Sequence, residues 1–278
     1  MKNIISQEWL INNIEREDLI ILDVRSELDD PNYGLREYQK GHIKNAQYVS
    51  MEDILTGIVD VHGGRHPLPN MEKFIEDMKQ LGINDESTIV VYDDGDLAMA
   101  GRLWWMLKYS GREKVYVLEG GIKAWEENGL DITTEVPEIK KSNSLTLKLD
   151  SSMEVDINYV KKAIYSDNIA IIDSRAAERY RGEVEPIDKI PGHIPNAINY
   201  PWMNLLEEGR VKSKEELEKY FESLRQYDEI IVHCGSGITG TVNCIFMEEV
   251  GLKPKLYVGG YSDWVSYDDN EIVSKDKE

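Results

Sequence analysis

One cysteine of this chain lies where its sulfur could act as a nucleophile. An apolar stretch beginning at Ile230 leads into the loop Cys234-Gly-Ser-Gly-Ile-Thr239, and a helical pattern follows over residues 240–250. Two glycines let the backbone curl tightly, so successive N–H groups and the positive end of the helix converge on the sulfur. Such a loop favours a thiolate or another anion carried on sulfur. We therefore predict that Cys234 is a catalytic nucleophile rather than a packing residue.

The second cysteine has different surroundings. Cys244 falls in the middle of the helical pattern beside Ile245 and Phe246, and it is predicted to belong to the core. Two cysteines in one loop-and-helix segment suit neither a disulfide scaffold nor a zinc site. We expect no metal and no organic cofactor.

Length and charge limit the function classes. The chain has 278 residues and a formal net charge of −20, and this length favours two domains. The charge repels phosphate backbones, so nucleic acid is not expected as a partner. No apolar stretch approaches the ~20 residues that cross a bilayer, and the start MKNIISQEWL lacks the features of a signal peptide. We expect a cytoplasmic protein with no membrane partner.

Several segments recur in the same order in the two halves of the chain, and a repeat this long indicates duplicated domains. We expect domains at residues 1–133 and 153–278, joined by a linker at 134–152. The recurring pairs are Ile20–Arg25 with Ala170–Arg175, Gly41–Ala46 with Gly192–Ala197, and Gly120–Trp125 with Gly259–Trp264.

Within each copy, short apolar runs alternate with helical patterns such as Met71–Leu81. Continuous apolar runs suit strands buried on both faces of a parallel sheet. The predicted fold class is α/β, with two tandem domains that each hold a mostly parallel central sheet flanked by helices. In the linker, Leu145–Leu149 alternates apolar and polar residues and is a candidate edge strand of the second domain.

The duplication, the Asp-x-Arg and Gly-His-Ile segments and the cysteine-first loop resemble the rhodanese (sulfurtransferase) superfamily over nearly the whole chain. The resemblance implies transfer of a sulfane sulfur from a donor to a thiophilic acceptor through a persulfide on Cys234. In tandem members only the second domain is usually catalytic, and here Asp93 stands at the cysteine position of the first. A carboxylate cannot accept a sulfane sulfur, so the first copy is expected to be inactive. The residues expected to hold the persulfide through their amides are Gly235, Ser236, Gly237, Ile238 and Thr239.

The loop also resembles one branch of the superfamily. The 3-mercaptopyruvate branch has Cys-Gly-Ser-Gly-Val-Thr, with Val where this chain has Ile238, whereas the thiosulfate branch places basic residues after the cysteine. Arg179 matches the substrate-binding arginine of similar enzymes, and its planar fork suits a carboxylate. A second arginine usual in that branch is missing from the stretch Glu185-Pro-Ile-Asp-Lys189. Lys189 is the substitute cation available there.

The same branch groups an Asp, a His and the loop Ser. By this resemblance His66 of the first domain reaches across the domain cleft to Ser236, with Asp53 as third member. An imidazole bonded to a hydroxyl could move the proton that departing pyruvate needs. Residues that recur in both copies are expected to be structural, namely His42, His193 and the pairs Asp23/Arg25 and Asp173/Arg175.

The expected partners are a small anionic sulfur donor and an acceptor such as a thiol, thioredoxin or cyanide. Because the donor is an anion and the chain is acidic, the site is expected to be locally positive. Three alternatives stay open: thiosulfate as the donor, a phosphatase of the related Cys-(x)5-Arg type, and a sulfur-carrier or regulatory binding module. The loop lacks the arginine that the phosphatase alternative requires.

Overall fold

The computed structural model describes residues 1–207 and 209–274. The chain forms two compact units, and neither is continuous in sequence. The first consists of Met1–Gly57, Leu68–Asp150 and Gly209–Val211; the second takes the described residues of Ile58–Pro67, Ser151–Glu208 and Lys212–Glu278. Most of the predicted linker therefore packs with the first unit, and the segment around His66 packs with the second.

The first unit is built on a parallel sheet. Its strands are β1 (Ile4–Ile5), β2 (Leu19–Asp23), β3 (His42–Ile43), β4 (Ala46–Tyr48), β5 (Thr88–Tyr92), β6 (Val115–Leu118) and β7 (Ile132–Thr133). The sheet has the order β1-β6-β5-β2-β4, and every pairing in it is parallel. All of β5 is buried, as an apolar run between two layers of helices requires. β3 and β7 pair separately and antiparallel.

The helices of this unit are α1 (Gln7–Asn13), α2 (Tyr33–Lys40), α3 (Met71–Gln80), α4 (Ala98–Tyr109) and α5 (Gly121–Glu127), with a π-helical turn at Met51–Leu55. In α3 the helical spacing buries Phe74 and Met78. The helix α4 is apolar on nearly all sides, and Trp104 and Trp105 are 0% and 1% exposed. It follows β5 directly, so its start lies at the carboxyl end of the sheet.

The second unit repeats the plan. The strands of the second unit are β8 (Ile169–Asp173), β9 (Ala197–Asn199), β10 (Leu206–Glu207), β12 (Glu229–His233) and β13 (Pro254–Leu256), whereas β11 (Arg210–Val211) belongs to the first unit. The helices are α6 (Ile157–Ala163), α7 (Ala177–Tyr180), α8 (Lys214–Tyr220), α9 (Gly240–Glu249) and α10 (Gly260–Trp264), with 3-10 turns at Ser151–Met153, Trp202–Leu205 and Glu222–Gln226. The sheet order is β13-β12-β8-β9, again all parallel. The predicted α/β fold class is confirmed in both units.

The recurring Asp and Arg residues tie strand ends to the Gly-His segments. Arg25 binds both oxygens of Asp23 and donates to the carbonyl of Gly41 at 2.7 Å. Arg175 binds Asp173 in the same way and donates to the carbonyl of Gly192 at 2.7 Å. The recurring histidines also have structural contacts: in each unit the ring stacks on a tyrosine and Nδ1 bonds that tyrosine's carbonyl, in the pairs His42 with Tyr38 and His193 with Tyr180.

One local prediction is wrong. Leu145–Leu149 forms no strand, because its polar groups bond irregularly to loops and helix ends of the first unit. The N–H and hydroxyl of Thr146 both donate to Asp85, and the N–H of Lys148 donates to the carbonyl of Ser110. Across the described ranges, none of the helices is long and apolar enough to span a bilayer.

Candidate active site

The predicted nucleophile lies at the carboxyl end of the central strand β12. Cys234 follows His233 directly and is 2% exposed. The loop then turns through Gly237, whose φ of +76° is a conformation that glycine adopts at little cost, and α9 begins at Gly240. The sulfur is therefore carried by a short loop between a buried strand and a buried helix, as the sequence predicts.

The start of α10 holds the loop from the other side. The N–H groups of Tyr261 and Ser262 donate to the carbonyls of Cys234 and Gly235, each at 2.8 Å. This approach needs a glycine at position 260, which has a φ of +61° and where a Cβ would lie 2.7 Å from the Cys234 carbonyl oxygen. The recurring Gly-Gly motif is thus explained by close backbone contact with the loop.

The segment Ile58–Pro67 is also fixed by α10. Gly63 N–H donates to Asp263 Oδ1 at 2.7 Å, and Arg65 N–H donates to Ser262 Oγ at 3.2 Å. These contacts bring His66 to the catalytic loop, where its Nδ1 lies 2.7 Å from Ser236 Oγ. The structure therefore brings together the histidine and the serine that the sequence pairs.

Arg179 is surrounded by carboxylates. It lies in α7, its side chain is 17% exposed, and its Nε and Nη2 donate to the two oxygens of Glu185 at 3.1 and 2.7 Å. Its Nη2 also donates to Asp188 at 2.9 Å. Glu185 and Asp188 are 2% and 1% exposed, so the stretch that lacks the second arginine instead supplies two buried acids.

A second cation comes from outside that stretch. Arg65 forms an ion pair with Asp188. Its guanidinium also lies against Gly235, since a Cβ added to that glycine would lie 2.8 Å from Arg65 Nη2. Burial lowers the pKa of Arg65, while the nearby thiol, when ionised, raises it; the guanidinium stays protonated in either case. The sequence analysis did not single out Arg65. Its position directly before His66 is the signal that could have found it.

Two other predicted residues have different contacts. Lys189 is 70% exposed, and its ammonium lies 3.8 Å from Asp268. Asp53 lies in the first unit, exposed, and its carboxylate accepts a hydrogen bond from Ser50 Oγ at 2.8 Å. The part of Asp53 as third member of a triad stays a prediction.

Buried charge surrounds the strand ends beneath the loop. Asp173 is fully buried, and although burial raises its pKa, the Arg175 guanidinium and His233 outweigh that effect and lower it to about 2. His233 is also fully buried, and burial lowers the pKa of its ring. Its Nδ1 lies 3.1 Å from the Cys234 carbonyl oxygen. Cys244 is buried in α9, as predicted, and burial raises the pKa of its thiol.

The first unit has an acid at the corresponding loop. The carboxylate of Asp93 accepts hydrogen bonds from the N–H groups of Gly95, Leu97 and Ala100 at 2.8, 3.3 and 3.0 Å. Burial raises its pKa to about 7, with a contribution from Asp96. The side chain thus fills the N–H-lined start of α4 with its own oxygens, as a capping carboxylate does at the start of a helix.

The family model of the rhodanese-like domain matches residues 6–128 and again residues 156–267. The chain belongs to the rhodanese-like domain family. It consists of two tandem domains of this fold, and the resemblance read from the sequence is confirmed.

Relatives agree on the class of reaction. The chain is 35% identical over 270 residues to a probable 3-mercaptopyruvate sulfurtransferase of Pseudomonas aeruginosa, covering 95% of each chain. It is 33% identical over 249 residues to a putative thiosulfate sulfurtransferase of Mycobacterium tuberculosis, covering 88% of this chain and 87% of the relative. The crystal structure of the 3-mercaptopyruvate sulfotransferase SseA from Escherichia coli superposes with a TM-score of 0.82 at 32% identity, over 94% of this chain and all of the other. The chain is therefore a sulfurtransferase of this family.

Proposed function

We propose that the protein transfers sulfur from 3-mercaptopyruvate to a thiophilic acceptor through a persulfide on Cys234. The observation that carries the proposal is the 2.7 Å contact between Ser236 Oγ and His66 Nδ1 beside the cysteine. A hydroxyl bonded to an imidazole can deliver a proton to a leaving group, and of the two candidate donors only mercaptopyruvate leaves as a carbanion equivalent that requires one.

In the first half-reaction the Cys234 thiolate attacks the donor's sulfur. A sulfur–sulfur bond forms while the carbon–sulfur bond breaks, and its electron pair remains on pyruvate as the enolate. The proton of the donor's thiol passes through Ser236 and His66 to the enolate carbon. The products are pyruvate and a deprotonated persulfide, so atoms and charge balance without an external oxidant or reductant.

The donor is held by the arginines of the site and by the loop. The positive charge of Arg179 pairs with the donor's carboxylate. The persulfide anion is held by the loop amides, whose N–H groups point to it beside the positive end of the helix. These amides are those of Gly235, Gly237, Ile238 and Thr239. Asp53 is the proposed third member of the proton relay, and Asp93 leaves the first domain without a nucleophile.

In the second half-reaction an acceptor attacks the outer sulfur of the persulfide. A thiolate, reduced thioredoxin or cyanide takes that sulfur, the sulfur–sulfur bond breaks, and the Cys234 thiolate is restored. The proposed acceptors share one property, since each is a soft nucleophile that can reach a sulfur at the loop.

The alternative donor is thiosulfate, which one group of relatives carries in its name. Steady-state kcat/KM values for both donors, with the same cyanide acceptor, decide between the two. We expect a higher value for 3-mercaptopyruvate and loss of both activities in Cys234→Ser. A clear preference for thiosulfate would overturn the donor assignment, and activity retained in Cys234→Ser would overturn the nucleophile.

A further inference from the structure

The arginines near Cys234 are matched by buried acids. Arg65, Arg175 and Arg179 lie in one ion-pair network, and each has a carboxylate partner within it. The acids are Asp173, Glu185 and Asp188, with side chains 0%, 2% and 1% exposed. Within the described residues of this network, the formal charges sum to zero. Within this network, the buried acids therefore cancel the local positive charge that the sequence predicts.

Asp188 has a special position in this network. One of its oxygens pairs with Arg65 and the other accepts from Arg179 at 2.9 Å. These are the two guanidinium groups that approach Gly235, next to the nucleophile: a Cβ built there would lie 2.8 Å from Arg65, 3.8 Å from Arg179 and 3.7 Å from Asp188 Oδ2. A donor bound beside Cys234 thus meets both cations and the acid that bridges them.

We propose that Asp188 is a specificity-determining residue, which restricts the sulfur donor to one negative charge. The inference rests on the proposed function, because it concerns the donor site of that reaction. A buried carboxylate repels a donor in proportion to the donor's charge. The repulsion is therefore twice as large for thiosulfate, a dianion, as for 3-mercaptopyruvate, a monoanion at neutral pH.

Through its ion pair with Asp188, Arg65 takes the place of the second arginine that the stretch Glu185–Lys189 lacks. Arg65 reaches the loop from the segment that carries His66, so the proton relay and the second cation arrive on the same piece of chain. Asp188 holds Arg65 and Arg179 side by side, and it limits the net charge that they offer. Two positioned cations with part of their charge compensated suit a single carboxylate.

The test compares Asp188→Asn with the native protein on both donors, at one fixed ionic strength because salt screens such effects. The quantity measured is the ratio of kcat/KM for thiosulfate to kcat/KM for 3-mercaptopyruvate. We expect this ratio to rise on the order of tenfold. The matched control is Asp268→Asn, which removes the same charge from a side chain that is 96% exposed in the same unit, and it should leave the ratio unchanged.

An unchanged or lower ratio in a folded Asp188→Asn protein would overturn the inference. If that variant fails to fold, the same ratio is measured in Asp188→Ala. Inactivation by Cys234→Ser is measured in parallel: if it holds while the Asp188 ratio stays constant, only the donor-charge inference fails. If Cys234→Ser retains sulfur transfer, the proposed function itself fails.

Discussion

Replacing His66 by Asn should slow the reaction of 3-mercaptopyruvate but not that of thiosulfate, because only the leaving group of 3-mercaptopyruvate must be protonated. His66 Nδ1 lies 2.7 Å from Ser236 Oγ, which is a full hydrogen bond. In the proposed reaction this pair protonates the enolate of pyruvate. Sulfite, the leaving group of thiosulfate, departs with its electron pair on sulfur and needs no proton on carbon.

The size of the effect follows from the role. A positioned acid or base contributes roughly 10²- to 10⁴-fold to a rate, which corresponds to about 3 to 5 kcal/mol of barrier. We expect His66→Asn to lower kcat for 3-mercaptopyruvate by that factor. Turnover of thiosulfate should change by less than about threefold, since its chemistry does not use the relay.

The assay is steady-state turnover of each donor with cyanide as acceptor. A control comes from the same segment: His62 stacks on Tyr267 and bonds Ser266, so His62→Asn should leave both rates near native. Ser236→Ala should match His66→Asn, and the double variant should be no slower, because the two groups act as a unit. Equal losses on both donors would refute the proton relay.

Three further predictions concern the framework. The pKa of Asp173 is lowered to about 2, so the stability that its carboxylate contributes is present above the unfolded-state pKa near 4 and is lost as the pH falls from there through about 2. The difference in unfolding free energy between the native protein and Asp173→Asn should therefore shrink by about 2 kcal/mol between pH 5 and pH 2. Hydrogen exchange on second-unit peptides measures this difference, and a constant value would contradict the assignment. Gly260→Ala places a Cβ 2.7 Å from the carbonyl oxygen of Cys234 and should reduce sulfur transfer from both donors; native kinetics would show that α10 does not position the loop. Asp93→Ala leaves three N–H groups without their acceptor and should destabilise the first unit by about 1–3 kcal/mol, while kcat stays unchanged. Chemical denaturation measures the stability and donor assays measure kcat. Undiminished stability would argue against the capping role.

Local patterns in the sequence were sufficient for the fold and the loop. The short apolar runs that became β5 and β12 suit strands buried on both faces, and the glycines around Cys234 suit a tight turn. The recurring Gly-Gly motif predicted a repeat, but its reason, the contact of Gly260 with the loop carbonyls, depends on two segments distant in sequence.

The charge network around the site could not be predicted in the same way. Nothing in the spacing of Arg65 and Asp188 indicates that they pair, because an ion pair between distant segments leaves no periodic pattern. The expectation that Lys189 would supply the missing cation followed sequence proximity, whereas the structure places its ammonium near Asp268. Leu145–Leu149 shows the same limit, since an alternating pattern does not reveal that Asp85 and Ser110 take up its backbone groups.

The central claim is that Cys234 carries the transferred sulfur. Intact-mass analysis after incubation with 3-mercaptopyruvate, without acceptor, tests it most directly, followed by peptide mapping. We predict a gain of one sulfur atom on the peptide that contains Cys234 and none on the peptide that contains Asp93, with the added sulfur lost when cyanide is supplied. Pyruvate released with no mass gain at Cys234, or the sulfur found on another residue, would contradict the account.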